Sequence, residues 1–249
     1  MLIDTHLHID KENASKVIKE AKDNNVEVLI VSGCDKKGIV DAIELISQYE
    51  NLYATVGFHP SEVDTTTIED LIWLEKIITS NKKIIGVGEI GLDYYYGKNN
   101  KEEQLSLFNK QLELANKLHL PVVIHTRDAF QDTYDSLEKY NLTGIIHCFS
   151  GRLEVANLYM KLGYSLGIGG VVTFKNSKLP SVVENIPMEK IVLETDSPYL
   201  SPEPYRGQVN SPKNIPIIAK KISEIKKISP NDVENITCDN VIRIFDLKI

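Results

Sequence analysis

Five of the six histidines in this 249-residue chain, His6, His8, His59, His125 and His147, stand at the ends of short apolar runs or within three residues after them, and Glu89 and Asp196 end two more. Neutral imidazoles and carboxylates are the ligands that divalent transition metals favour. His6 and His8 are two residues apart, and in an extended chain that spacing puts both side chains on one face. A lone histidine near a strand end is usually a hydrogen-bonded structural residue, and His-x-His alone is a weak signal. The recurrence of such residues after several runs is much harder to assign to chance. The sixth histidine, His119 in KLHLP, precedes a run instead of following one and reads as structural.

Three acidic segments admit more than one reading. In IIGVGEIGLD, Gly86, Gly88 and Gly91 strip side chains from around Glu89. That leaves room for a crowded metal centre, or it relieves packing where strands approach closely. In VLETDSP, Glu194 and Asp196 share parity. Asp196 reads as the ligand and Glu194 as an acid that supports one. Asp4 has the parity of His6 and His8; it either orients a ligand imidazole from below or is a buried acid satisfied by neighbouring donors. Cys148 follows His147, faces the other way and reads as a small core residue.

These positions need elements to hold them. The apolar runs are Leu2–Thr5, Val26–Val31, Leu52–Val56, Ile84–Val87, Pro121–Ile124, Gly144–Ile146, Gly163–Ile168 and Ile191–Leu193. They are rich in Val and Ile without polar alternation, as strands of a parallel sheet covered on both faces are. Amphipathic stretches lie between them. Glu103–Leu118 puts Leu107, Gln111, Leu114 and Leu118 on one side, and Lys213–Ile228 does the same with Ile217, Ile218 and Ile222. Ser211 before Pro212 and Ser229 before Pro230 read as helix starts.

Eight β-then-α units predict an α/β fold, a (β/α)8 TIM barrel formed as a single domain over residues 1–249, with its site at the C-terminal mouth. A doubly wound open sheet is the competing architecture. The Pro-rich segment 197–212, with Pro198, Pro202, Pro204 and Pro212, follows the last run and is placed to shape the mouth.

The formal net charge of −7 speaks against a broad basic surface for nucleic acid. An anionic substrate would need local attraction, which bound cations supply. Cys34, Cys148 and Cys238 are too few and too scattered for a disulfide framework or a zinc knuckle. The opening MLIDTHLHID has neither the basic nor the apolar region of a signal peptide, and no apolar run is long enough to span a membrane. The expected setting is a reducing cytoplasm. GxSxG, GxGxxG and P-loop patterns are all missing, so a serine hydrolase, a dinucleotide enzyme and a nucleotide-triphosphate enzyme lose support.

Taken together, IDTHLH (3–8), GFHP (57–60), GEIGLDYY (88–95), PVVIHTRDA (121–129), HCFSG (147–151), ETDSPYL (194–200) and the RG at 206–207 resemble the TatD-like metal-dependent deoxyribonucleases of the amidohydrolase barrel superfamily. The resemblance spans essentially the whole chain. Where many related barrels carry a carbamylated lysine after the fourth strand, this chain has Glu89, which matches the TatD pattern. The resemblance implies two divalent cations, Mg, Mn or Zn. His6, His8 and Asp196 would hold one, His125 and His147 a second, and Glu89 would bridge them. It places His59 near the substrate phosphate and outside the ligand set. Donors this rich in histidine suit Zn, Mn, Fe or Ni better than Mg.

The activity implied is a nuclease acting on DNA, with 3′-exonuclease action typical. Two close cations lower the pKa of a water and clamp phosphate oxygens, and Asp196 is the group to take that water's proton. Arg127 and Arg206 read as phosphate contacts or as plain surface charge. Tyr94–Tyr96 read as a stacking surface for an unpaired base or as a loop packing cluster. Without a basic track, single-stranded ends are favoured over long duplex. The same metals polarise a carbonyl, so an amidohydrolase acting on a C–N or carboxyl-ester bond is the alternative. A non-catalytic metal-binding scaffold is a third reading, disfavoured because a scaffold needs no open metal site.

Overall fold

The computed structural model describes residues 1–95 and 100–248. Strands and helices alternate along the chain: β1 Leu2–Leu7, α1 Ala14–Asp23, β2 Val26–Gly33, α2 Lys36–Gln48, β3 Leu52–Val56, α3 Ile68–Ser80, β4 Ile84–Asp93, α4 Lys101–Leu118, β5 Val122–Arg127, α5 Phe130–Leu137, β6 Gly144–Ile146, α6 Leu153–Lys161, β7 Ser165–Ile168, α7 Leu179–Asn185, β8 Ile191–Leu193, α8 Ile215–Lys226 and α9 Pro230–Phe245. The strand order in the eight-stranded sheet is that of the sequence, β1 through β8. The pairs β1–β2, β3–β4, β4–β5, β5–β6 and β7–β8 are parallel. A doubly wound sheet reverses its strand order at a switch point, and this sheet does not.

All eight predicted runs are strands. Four continue further than expected: β1 includes His6, β2 runs on to Gly33, β4 carries Glu89 in its interior, and β5 runs through His125 to Arg127. Glycine is the physical reason in β4. A Cβ at Gly88 would stand 2.6 Å from the Val123 side chain, and one at Gly91, whose φ is +151°, only 1.8 Å from the His125 carbonyl oxygen. These two glycines therefore serve close approach of β4 to β5.

The chain divides into two compact units, Met1–Val31 with His147–Ile249, and Ser32–Ile146. In the first, α9 packs on β1 and β8 and buries Val233, Val241 and Phe245. Ser229 opens α9 with a capping box, accepting from Asp232 N while the Asp232 carboxylate accepts from Ser229 N. Inside α9, Asn240 Nδ2 donates to the carbonyls of Met188 and Ile191 at 2.8 Å each, fixing the entry to β8. Ser211 does not act in the same way: its side chain accepts no capping hydrogen bond, and Pro212–Asn214 form a 3-10 turn before α8 begins.

In the second unit, α4 presents Gln104, Leu107, Phe108, Gln111, Leu112, Leu114 and Ala115 to the interior. Burying each of the large apolar side chains stabilises by about 1.5–3 kcal/mol. The helix ends at His119, exposed and left-handed at φ 55°, with Leu120 N donating to Ala115 O at 3.0 Å, so the sixth histidine is a helix terminus. Among the described residues no helix is long and apolar enough to cross a membrane.

Candidate metal centre

In the unit formed by Met1–Val31 and His147–Ile249, β1 delivers His6, and His8 follows two residues later on the same face. Their Nε2 atoms are 3.3 Å apart. The His6 ring stacks on His147 with centroids 3.9 Å apart, an approach that suits neutral imidazoles and disfavours two imidazolium ions. Asp196 Oδ1 lies 3.9 Å from His6 Nε2 and 3.7 Å from His8 Nε2. His6, His147 and Asp196 each offer a donor atom within 4.8 Å of the others. Buried imidazole nitrogens converging with a carboxylate fit a divalent cation in charge and in donor type.

Two further acids hold this group from behind. Asp4 Oδ1 accepts from Thr195 N at 2.9 Å and from His6 N at 3.3 Å, and Oδ2 accepts from Thr195 Oγ1 at 2.6 Å. Asp4 therefore ties β1 to the chain leaving β8 through main-chain donors, the buried-acid reading, and not by orienting an imidazole. Burial pushes its carboxyl up to about 8 against the opposing pull of those hydrogen bonds. Glu194, wholly buried, accepts from Cys148 N at 2.6 Å and sits 3.3 Å from His147 Nδ1.

Gly167 in β7 makes this possible, since a Cβ there would stand 2.1 Å from Glu194 Oε2. Cys148 is only half-buried and left-handed at φ 48°, so it is a backbone donor at a bend and not the core residue expected. Asp196 is also left-handed, at φ 54°. Left-handed non-glycine residues cost free energy and gather where a site demands them. The turn after Asp196 is closed by its own carbonyl, which accepts from Tyr199 N at 2.9 Å.

In the unit Ser32–Ile146, Glu89 is buried in β4 and His125 projects from β5 opposite Gly91. Residues 89, 91 and 93 share one face of β4. With glycine in the middle, His125 comes between two carboxylates: Nδ1 is 2.9 Å from Glu89 Oε1 and Nε2 is 3.1 Å from Asp93 Oδ2. Burial raises the Asp93 carboxyl, but contacts with His125, Tyr95 N and Arg127 together bring it below the ordinary range. Asp93 had no role in the sequence reading. Its parity with Glu89 was the signal that could have found it.

His59 stands just beyond β3, its ring centroid 4.5 Å from that of His125. His59, Glu89 and His125 form a second group of donors within 4.8 Å of one another. His59 Nδ1 accepts from Ser61 N at 3.1 Å. That main-chain N–H is fixed, whereas the nearby Ser61 hydroxyl can rotate, so a neutral His59 carries its proton on Nε2, the nitrogen 3.8 Å from Glu89 Oε1.

Two glutamines seven residues apart on one face of α4 set these segments. Gln111 Oε1 accepts from Phe58 N at 2.7 Å and its Nε2 donates to Phe58 O at 2.9 Å. Gln104 does the same to Asp93, at 2.9 and 3.0 Å. Gln111 was legible only as part of an apolar stripe, because a buried amide looks like a misplaced polar residue until its partner strand is known.

Tyr94 is corrected. It is buried, its hydroxyl donates to Asp132 Oδ2 at 2.8 Å, and Lys101 lies 5.0 Å over its ring, so it packs the loop and offers no face to a base. Tyr95 is the exposed one, with the Arg127 guanidinium 3.6 Å above it. Tyr96 lies outside the described residues. Arg206 rests 3.9 Å over the Phe174 ring.

The model of TatD related DNases matches residues 3–246. The chain belongs to that family. It is 39% identical to the Bacillus subtilis protein YabD, described as an uncharacterized metal-dependent hydrolase, with both chains covered in full. A protein of the same description from Methanocaldococcus jannaschii, MJ1582, is 33% identical over 99% of this chain and 98% of its own. The crystal structure of YjjV, a TatD homologue from Escherichia coli, superposes with a TM-score of 0.95 at 29% identity, covering 99% of this chain and 98% of that one. The protein is thus a metal-dependent hydrolase of the TatD family with the (β/α)8 barrel fold.

Proposed function

We propose that this TatD-family hydrolase is a deoxyribonuclease that removes nucleotides from the 3′ ends of single-stranded DNA, using two divalent cations. The observation that carries the reading is the convergence of His6, His147 and Asp196. The family's own description as related to DNases supports phosphodiester DNA as the substrate.

His6, His8 and Asp196 would hold one cation and His125 and His147 the other, with Glu89 common to both, as the sequence resemblance implies; Mg, Mn and Zn are the candidates. Bound there, the cations would supply Lewis acidity and make a nearby water acidic enough to give up its proton near neutral pH. Asp196 then accepts that proton. His59, protonated on Nε2, donates to a non-bridging phosphate oxygen. Arg127 and Arg206, whose guanidinium carbons lie 3.6 and 3.9 Å over the rings of Tyr95 and Phe174, contact the phosphates of a bound strand.

The test is digestion of a 5′-labelled single-stranded oligonucleotide by metal-stripped protein reloaded with Mg2+, Mn2+ or Zn2+. A ladder shortening from the 3′ end, faster than on blunt duplex, is expected. Hydrolysis of a lactone or cyclic amide with no cleavage of any oligonucleotide would overturn the nuclease reading and leave an amidohydrolase.

A further inference from the structure

Tyr199 is an oddity of the loop that follows β8. Large aromatic side chains are usually drawn inward, and Tyr199 is 61% exposed. Its backbone is nevertheless firmly held. Its N–H donates to Asp196 O at 2.9 Å, and its carbonyl accepts from the Asn210 amide at 2.7 Å. Asn210 Nδ2 also donates to Thr195 O at 2.8 Å, so a single buried amide ties the two ends of this loop together. Leu200 beside it is left-handed at φ 53°, and Ser201 and Pro202 are buried again. The loop therefore presents the Tyr199 ring outward on a rigid frame. The ring lies at 66° to His8, centroids 6.3 Å apart, three residues from Asp196.

We propose that Tyr199 is a specificity-determining residue that stacks on an unpaired nucleobase next to the scissile phosphate. This rests on the nuclease reading above and adds the subsite that selects a base-bearing, single-stranded end. A tyrosine has only two side-chain torsions to immobilise, so a preset ring loses little entropy on contact. Every base offers a π-face, so the contact tolerates any sequence, and it demands that the base be unstacked from its own strand. An internal paired base keeps both faces covered by its neighbours, so the contact favours unpaired strand over duplex interior. Tyr199 takes the stacking role that was one of two readings of Tyr94–Tyr96, and it does so from a loop that passes within hydrogen-bond reach of Asp196.

The experiment compares metal-loaded wild type, Tyr199→Ala and Tyr199→Phe on two single-stranded oligonucleotides, one ordinary and one with abasic residues at its last 3′ positions. The readout is the ratio of kcat/KM for the ordinary strand to that for the abasic one. That ratio should fall roughly ten- to hundredfold in Tyr199→Ala, chiefly through KM, and be retained in Tyr199→Phe. An unchanged ratio in Tyr199→Ala, or equal losses on both strands, would overturn the stacking role while leaving the nuclease intact. Failure of the wild type to cleave either strand would overturn both.

Discussion

Around His6 and His147 two buried acids, Asp4 and Glu194, hold backbone N–H groups beside the Asn210 amide, whereas around His59 and Asp93 two buried glutamine amides hold the backbone. Asp4 and Glu194 accept main-chain N–H groups from Thr195, His6 and Cys148. Gln111 and Gln104 each take both the N–H and the carbonyl of one residue, Phe58 and Asp93. The difference follows from what each side chain can do. A carboxylate only accepts, so Glu194 suits a bend that offers it the Cys148 N–H. A primary amide donates and accepts, so it suits an extended residue whose two backbone groups face the same way. Glu194 also lends basicity to the neighbouring His147 imidazole at the cost of desolvation, and the glutamine amides position without adding charge.

The largest effect should come from the acid-held unit. Asp196→Asn is expected to lower turnover of single-stranded DNA by ~10²–10⁴, since an amide cannot take a proton from water. Its melting temperature should stay near wild type, because the turn is closed by the Asp196 carbonyl. Turnover near wild type would remove Asp196 from the chemistry.

Glu194→Gln comes next. It keeps the shape but turns an N–H donor or a weaker acceptor toward Cys148 N and His147. A loss of roughly 10–100-fold in metal affinity or activity is expected, measured by metal titration of stripped protein. Gly167→Ala should act in the same direction, since its Cβ would displace the Glu194 carboxylate. Full metal affinity in both variants would break the contrast between acids and amides.

Gln111→Glu is the mirror test, because it sets an oxygen against the Phe58 carbonyl. It should destabilise by about 1–3 kcal/mol, lowering the melting temperature by about 2–4 °C for each kcal/mol. Gln111→Glu as stable and active as wild type would show that the amide's donor half is dispensable.

The smallest effect lies away from the histidines. Thr67 and Asp70 form the capping box of α3, and Lys36 pairs with the Asp70 carboxylate. Hydrogen bonds from Lys36 and Thr67 hold that carboxyl down to about 2. A depressed carboxylate contributes stability that is present above its ordinary value of 3.8 and is lost as pH falls through about 2. Chemical denaturation of wild type and Asp70→Asn should therefore differ at pH 7 and converge toward pH 2. A difference that persists unchanged at pH 2 would rule out this linkage.

Residue types, their order and their local spacing were enough to establish the alternation of strands and helices, the parallel sheet, the pairing of His6 with His8 on one face and the capping of α9 by Ser229. Each is a short-range property, set by periodicities of two and 3.6 residues and by the chemistry of a helix end. The tertiary structure decided the rest. It buried Tyr94 and exposed Tyr95 and Tyr199, although adjacent tyrosines are alike in a sequence. It drew Asp93 onto His125, paired Gln104 and Gln111 with segments far from them in the chain, and gave Gly88 and Gly91 to strand contact while Gly167 made room for Glu194. Burial and hydrogen-bond partnership depend on which surfaces meet, and residues distant in the chain carry no local mark of where they will meet.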